Sequence, residues 1–474
     1  MLISASNQVS LFDLDSELHE LTAKKSDQLF SLFNQFANMN DIIPASFHNS
    51  YYSDVGKNRD FPLEGMLKAL VFYNLLGLPT VSTLIFIISI SSDFRKFLGF
   101  PRAPHPSQFS RFKSLFYDEI LEMFHHLVDL TSDFAIDADK TLAKILVTDT
   151  TGFELYVKEN NPKFYQTMLK TVKTYAKTHK YEKSFDVEKY AQSKMPKHSA
   201  SNPEAKLTYL NGHFGYYQKV ILATNGFGLI RDINFYGSDN TLELDLTPQE
   251  IKDEYDAKSL IPSLETFFEL HPESTFNYFL GDSGFDAVDN YAYLYKRRIT
   301  PIINLNSRNK SILPQPLMGE DGVPTCPNNP DLPMTYAGII KSKDRADRVQ
   351  YICPKRSVKW SGDKKIPILD CDSPCTNAPY GRIKNITVHH NYRFNAAMPR
   401  SSDEWINLYK IRTVCERTIA QLKSFMQINI SKINKTITLK SNILLAGITQ
   451  LIAFIILHKS KLSTGRLAIK AMVA

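Results

Sequence analysis

The stretch Ser401–Gln427, SSDEWINLYKIRTVCERTIAQLKSFMQ, decides how this chain is read. Its pattern is helical. Ser401 or Ser402 can cap it, and acids fill its first turn, facing the positive end of the helix dipole. Tyr409, Arg412, Glu416 and Lys423 lie at offsets 0, 3, 7 and 14. At about 100° per residue they fall within one arc of about 60°. Leu408, Ile411, Cys415, Ile419, Leu422 and Met426 form an apolar stripe beside that arc. Such a helix can dock its stripe on a sheet and hold the polar row at the edge of the contact. A row of Tyr, Arg, Glu and Lys is poor packing material. It suits one metal ligand flanked by phosphate-binding cations. A surface face in which Arg412 and Glu416 pair at i,i+4 would give the same spacing.

Working back along the chain, AKILVTDTTG (143–152) is a β-branched run that ends near Asp149. GYYQKVILATNGFGLIRDINFYG (215–237) reads as a hairpin around the turn Asn225-Gly226. SLIPSLETFFELH is an amphipathic helix, TFNYFLGDSGFD a short strand ending at Asp282, AVDNYAYLYKRR a helix and ITPIINLN a further strand. Three antiparallel strands followed by alternating helices and parallel strands is the order of an α/β fold with an RNase H-like mixed sheet. Asp149 and Asp282 then sit at strand ends, where such folds expose their site residues. Asp149-Thr150-Thr151-Gly152 and Asp282-Ser283-Gly284 read equally as Asp-initiated turns, the second also as a helix N-cap. Together with Glu416, the two aspartates make a set of oxygen ligands suited to Mg²⁺ and to two-metal phosphodiester chemistry.

The remaining segments divide the chain. Residues 1–60 read as a helical lead-in. Residues 61–135 read as a helical module whose last helix carries Arg111 and Lys113, with Ser107 as its candidate cap; it is compatible with DNA binding or with simple helical packing. Residues 140–306 hold the first part of the core, with a Lys-rich, Tyr-bearing insertion at 155–210 that could lie along phosphates or be a solvated surface. Residues 307–400 form a second insertion rich in Pro, Asn, Asp and Lys. Residues 401–458 return to the core, and 459–474 are a tail.

Composition is that of an ordinary globular protein: 474 residues, 43% hydrophobic, 22% charged, with 56 Lys and Arg against 49 Asp and Glu for a net charge of +7. This excludes a collagen-like, disordered or disulfide-miniprotein chain. Five cysteines are few and odd in number, which suits a reducing cytoplasm better than a disulfide framework. No secretory signal opens the chain. NILLAGITQLIAFIIL (442–457) carries Asn442, Thr449 and Gln450, so it reads as a buried core helix rather than a membrane span. Cys326, Cys353, Cys371 and Cys375 all fall in the 307–400 insertion. They read as a structural zinc site or as free reduced thiols, since paired CxxC knuckles are absent. Trp360, flanked by Lys359, Lys364 and Lys365, reads as packing or as a platform for a base. His213 reads as structural, and His389-His390 carries no reading.

The spacing Tyr409-x2-Arg412-x3-Glu416-x6-Lys423 resembles the YREK signature of prokaryotic insertion-sequence DDE transposases. VTDTTG and LGDSGFDAVDNYAYLYKRRITPIINLN are similar to that family's first and second aspartate motifs, and the helical run from Leu63 is similar to the domain that often precedes such cores. The resemblance implies an RNase H-like catalytic core. It implies that Asp149, Asp282 and Glu416 hold two Mg²⁺ (or Mn²⁺) ions, and that Tyr409, Arg412 and Lys423 hold the DNA end. It implies cleavage at the ends of the element, strand transfer into target DNA and a homodimer on DNA. A related metal-dependent nuclease without strand transfer, or a non-catalytic DNA-binding remnant, would retain much of the same pattern.

Overall fold

The computed structural model describes residues 29–52, 59–179, 185–210, 213–235, 256–306, 319, 322–341, 347–387, 392–393, 395, 398–430 and 432–461. Its first part is helical. Besides shorter helices it holds α1 (Leu63–Leu75), α2 (Val81–Ile90), α3 (Pro106–Leu115) and α4 (Tyr117–Leu130). Gly77 takes φ of 58° and turns the chain just after α1. Two details of the expected basic helix differ. His105, not Ser107, caps α3, its ring accepting from the Ser107 N–H at 3.3 Å ahead of Pro106. Lys113 is only 3% exposed, so it cannot serve a DNA-facing surface, whereas Arg111 remains exposed. α4 buries Ile120, Met123, Phe124, Leu127 and Val128, the i, i+3, i+4 spacing of one apolar face.

β1 (Ile145–Glu154) opens the sheet. The Lys-rich segment that follows contains an amphipathic helix, α5 (Pro162–Thr178), of which Val172 is the one buried residue among those described, with Phe164, Tyr165 and Met168 half-buried against the core. β2 (Lys206–Leu210), β3 (His213–Asn225) and β4 (Ile230–Phe235) come next. They are followed by α6 (Asp256–Leu270), β5 (Tyr278–Gly281), α7 (Val288–Lys296) and β6 (Thr300–Ile303). Sheet order is β2-β3-β1-β5-β6, and β4 also pairs with β3. β1 and β3 are antiparallel, whereas β1, β5 and β6 run parallel. This is the mixed RNase H-like order read from the sequence, with β2 as an added strand. The β3–β4 hairpin turns at Asn225-Gly226 as its sequence requires, and the Asn225 side chain accepts from the Phe227 and Leu229 N–H groups.

Among the described residues, the second insertion holds small sheets. β7 (Thr325–Cys326) pairs with β8 (Asn329–Pro333); β9 (Thr335–Ile340), β10 (Arg348–Ile352) and β13 (Ile383–Thr387) form a three-stranded sheet; β11 (Arg356–Ser361) and β12 (Lys364–Leu369) form a separate ribbon. The chain then returns through α8 (Asp403–Lys410) and α9 (Thr413–Ala420) to α10 (Thr436–Lys459).

α10 is long and apolar enough to cross a membrane by length and composition, yet 94% of its most apolar window is buried inside the protein. Its polar side chains have protein partners. Gln450 accepts from the Ile230 N–H at 2.9 Å and donates to the Gly228 carbonyl at 3.0 Å, while Asn74 donates to the Thr449 hydroxyl at 3.1 Å. At Gly447 an added Cβ would stand 2.9 Å from Ile233 and 3.0 Å from Phe124, so the helix closes onto both β4 and α4 there. One continuous hydrophobic core therefore joins the N-terminal helices, α10 and the sheet.

Candidate active site

Strand register places the first two carboxylates. β1 and β5 pair in parallel with Val147 opposite Leu280. Two residues further along each strand stand Asp149 and Asp282, on neighbouring strands about 5 Å apart. The backbone holds both. The Asp149 carboxylate accepts from the Thr150 N–H at 2.8 Å. Asp282 caps the short 3-10 turn Ser283–Phe285 and accepts from the Gly284 N–H at 2.8 Å. The turn reading of these residues therefore describes how the two groups are held, and it is compatible with a second role.

The third carboxylate arrives on α9. Opposite Asp149 on β3 lies Leu222, and the Cys415 thiol donates to its carbonyl at 3.5 Å. Three residues on, the Thr418 hydroxyl donates to the Gly228 carbonyl at 3.0 Å. Gly228 has φ of 94°, and a Cβ there would come 3.1 Å from the Thr418 hydroxyl, so only glycine lets the hairpin turn meet the helix this closely. These two anchors lay the apolar stripe on the sheet. Cys415, Leu422 and Met426 are fully buried, and Ile419 is 8% exposed. Glu416 and Arg412 stay at the rim.

The helix is not the single uninterrupted rod that the even 100° arithmetic assumes. α8 ends at Lys410, the chain loosens at Ile411 and Arg412, and Gln421–Phe425 adopts a π turn. Ser402 caps α8, accepting from the Trp405 N–H at 3.3 Å, as expected of one of the two serines. The break and the π turn change the phase of the row but leave its members around Asp149. Burial first and Asp282 second push the Asp149 carboxyl up to about 7; the Thr150 N–H and Arg412 pull it down, and Glu416 pushes up again. Tyr409 is raised by burial and lies within reach of Arg412, Asp282 and Asn304. Lys423 is lowered by burial and held up by Asp149; its ammonium stands 5.3 Å from the centre of the Phe153 ring on β1. Asp149, Asp282, Tyr409, Arg412, Glu416 and Lys423 thus share one region; Asp282 follows the end of β5 as expected, whereas Asp149 lies mid-strand, because β1 continues its pairing with β3 to Glu154.

Arg412 Nη1 pairs with Glu416 Oε1 at 2.7 Å, as the surface-face reading expects. The same guanidinium lies 5.6 Å over the Tyr409 ring, and its Nε is buried without a hydrogen-bond partner. Among the described residues no three His, Cys, Asp or Glu side chains stand in a metal-holding cluster. Glu416 is engaged by Arg412 instead.

One element of the site has no signature in the local sequence. Asp286, in the Asp282 loop, accepts from Arg393 Nε at 2.9 Å and from Arg393 Nη2, from the Tyr291 hydroxyl at 3.0 Å and from the Asn306 N–H at 2.7 Å. Arg400 donates to the Ile303 and Arg393 carbonyls at 3.0 and 2.8 Å. The return from the second insertion is thereby clamped to the second aspartate loop. Trp360 lies elsewhere, 65% exposed near the end of the β11–β12 ribbon, with the Lys365 ammonium 4.9 Å from its ring centre. The His213 side chain and His389-His390 lie outside the described residues.

Comparison with protein families gives two matches. Residues 19–115 match a transposase domain, DUF772, and residues 189–451 match a transposase DDE domain. No curated protein matches the chain. The second match alone spans more than half of the sequence and covers the sheet from β2 onward, the Asp282 loop and the Glu416 helix. The chain belongs to the DDE transposase family.

Proposed function

We propose that this transposase cuts DNA at the ends of its element and joins the freed ends to target DNA, with Asp149, Asp282 and Glu416 as its catalytic carboxylates. The observation that carries the reading is the register of β1 and β5, which sets Asp149 beside Asp282 under the helix that bears Glu416. The donor set fits divalent magnesium or manganese. It is all oxygen, and burial and repulsion from Asp282 disfavour the negative charge on Asp149, a penalty that a hard dication relieves. Asp149, Asp282 and Glu416 would hold two such ions. When bound, they supply Lewis acidity to the attacking and leaving oxygens.

The chain's own residues do the rest. Arg412 carries an unused Nε donor beside the carboxylates, suited to a phosphate oxygen once DNA replaces its bond to Glu416. Lys423 places a second cation on the other side of Asp149, and the Tyr409 hydroxyl adds a donor. These three positions support membership of the YREK group. The reaction is hydrolysis of a phosphodiester, water adding to phosphorus as the 3′ oxygen of the element end leaves. That 3′-OH then attacks a target phosphodiester and displaces its 3′ oxygen. Two ends must be joined in concert, which a homodimer on DNA supports.

The test uses DNA from the flanks of the protein's own reading frame, with Mg²⁺, read for cut and joined strands. Asp149→Ala, Asp282→Ala and Glu416→Ala should each abolish cleavage while DNA binding persists. Arg412→Ala should weaken end binding or cleavage by roughly ten-fold or more, the worth of a charge-assisted hydrogen bond. A mutant of any of the three acids that cuts at the wild-type rate refutes that assignment. Cutting without joining would make the protein a nuclease of the same chemistry.

A further inference from the structure

The second insertion has too little apolar interior for its size. Its own buried cluster is Val323, Met334, Val349 and Tyr351, with Ile386 packed against it. Tyr336, Ile339, Val358, Ile366 and Ile383 of its strands remain exposed. Units of this kind depend on a staple. Four of the five cysteines lie here and no disulfide joins them.

Three chain segments carry these cysteines, and hydrogen bonds tie the segments together beside each thiol. The first is the β7–β8 turn, which begins at Cys326. Two residues on, the Asn328 side chain donates to the Ser373 carbonyl at 3.2 Å, and Ser373 lies midway between Cys371 and Cys375. The second is the turn after β10, where the Arg356 N–H donates to the Cys353 carbonyl at 3.0 Å. From this turn the Lys355 carbonyl accepts from the Asp370 N–H at 3.0 Å, one residue before Cys371. The Cys353 N–H donates to the Arg382 carbonyl at 2.9 Å, and a Cβ on Gly381 would come 3.5 Å from the Cys353 sulfur. Each cysteine therefore lies within two residues of a bond between segments. Cys375 also lies in hydrogen-bond contact with Cys326 and within electrostatic reach of Cys353. Cys326 and Cys353 are buried, and Cys371 and Cys375 are half-buried.

We infer that Cys326, Cys353, Cys371 and Cys375 bind one structural zinc ion that staples the second insertion. The shared chemistry of the four is soft sulfur, which selects Zn²⁺ over the hard cation proposed for the carboxylates. Two of the ligands, Cys326 and Cys353, are each followed by proline at the start of a tight turn, so their backbones are fixed before the ion arrives. Binding displaces the thiol protons to solvent and leaves the sulfurs as thiolates. The thiols as they stand form no metal cluster, so binding must draw the sulfurs closer than they are here.

The full-length protein, purified under reducing conditions without chelator, should carry about one zinc per chain by elemental analysis. Cobalt exchanged for it should give the intense visible absorption of a tetrahedral thiolate site. Cys353→Ser should lose the ion. If that variant fails to fold, the wild-type protein still decides: release of zinc by a thiol-modifying mercurial should be stoichiometric, and hydrogen exchange in β9, β10 and β13 should accelerate on release. Zinc well below one per chain with no uptake of added zinc or cobalt overturns the inference. So does a Cys326–Cys375 disulfide in freshly isolated protein. Neither readout depends on DNA cleavage.

Discussion

The clamp between Arg393 and Asp286 makes a demanding prediction. Both side chains are out of water, at 3% and 0% exposure. Asp286 accepts from Arg393 twice, from Tyr291 and from the Asn306 backbone. Replacing Arg393 with Met keeps much of the volume and removes the charge and both donors. A buried carboxylate then remains with only part of its hydrogen bonds, and breaking such a pair costs about 3–5 kcal/mol. Tyr291→Phe removes the bond donated to Asp286 and the one accepted from Arg400 Nη2 at 3.0 Å, and should cost at least about 1.5–3 kcal/mol. Asp286→Leu combined with Arg393→Met removes both charges, so the double variant should be less destabilised than the sum of the single changes, because neither charge is left buried and alone. The chain has two tryptophans, and Trp360→Phe leaves Trp405 as the reporter, 8% exposed on α8 and 5.9 Å from the Arg400 guanidinium. Urea unfolding followed through Trp405 in that background reads the clamp locally. A cost below about 1 kcal/mol for Arg393→Met, or strict additivity in the cycle, would refute the reasoning. The clamp holds the loop that carries Asp282, so cleavage should fall in step with its loss.

Two further predictions rest on other features. His125 Nδ1 meets His271 Nε2 at 3.0 Å, and His271 Nδ1 meets Asp129 Oδ1 at 2.6 Å, with buried Arg231 near the pair. Burial, then the neighbouring imidazole, pushes His125 down from 6.5 to about 4. The unfolded chain takes up this proton below 6.5 while the folded chain does not, so stability is full above 6.5 and falls towards pH 4, by up to about 3 kcal/mol. His125→Gln should flatten the melting temperature over that range, and an unchanged profile would rule the histidine out as the cause. On the β11–β12 ribbon, Lys359, Lys364 and Lys365 are exposed around Trp360. If the ribbon lies on DNA, Lys364→Gln with Lys365→Gln should lower the slope of log affinity against log salt by roughly 0.9 for each phosphate no longer neutralised; an identical slope would remove the ribbon from the DNA surface.

Much of the core is legible in the sequence because its signals are local. A β-branched run marks β1, alternation marks β3, Asn225-Gly226 marks the hairpin turn, and Ser402 with Asp403 and Glu404 marks the start of α8. The polar row on α8 and α9 is legible because helical phase is arithmetic over seven residues. It drifts at Lys423, where a π turn takes up an extra residue and lowers the rotation per residue, which no composition rule announces. α5 carries an apolar row at Phe164, Met168 and Val172 that the reading of its segment as a Lys-rich insertion passes over, and it buries little. Lys113 is misplaced by the sequence because a long side chain on an amphipathic helix can lie on either side of the boundary. The Arg393–Asp286 pair joins residues more than a hundred positions apart, and a single sequence holds no trace of such a pairing. The residue types at the site are readable, whereas the means of holding them rigid are not.

The burial of α10 bears on how the protein comes into being. The helices from Leu63 to Leu130 are synthesised early, but the helix they close around, Thr436–Lys459, emerges last. At ordinary rates of translation the interval is on the order of tens of seconds. Throughout it the apolar faces of α1 and α4 have no final partner, so they must be shielded or remain uncollapsed. A copy of the gene interrupted before Thr436 would therefore make no folded N-terminal fragment able to compete for DNA with the intact protein. Premature termination would give loss of function without interference, and the spine of the fold acts as a check that translation has passed Thr436–Lys459.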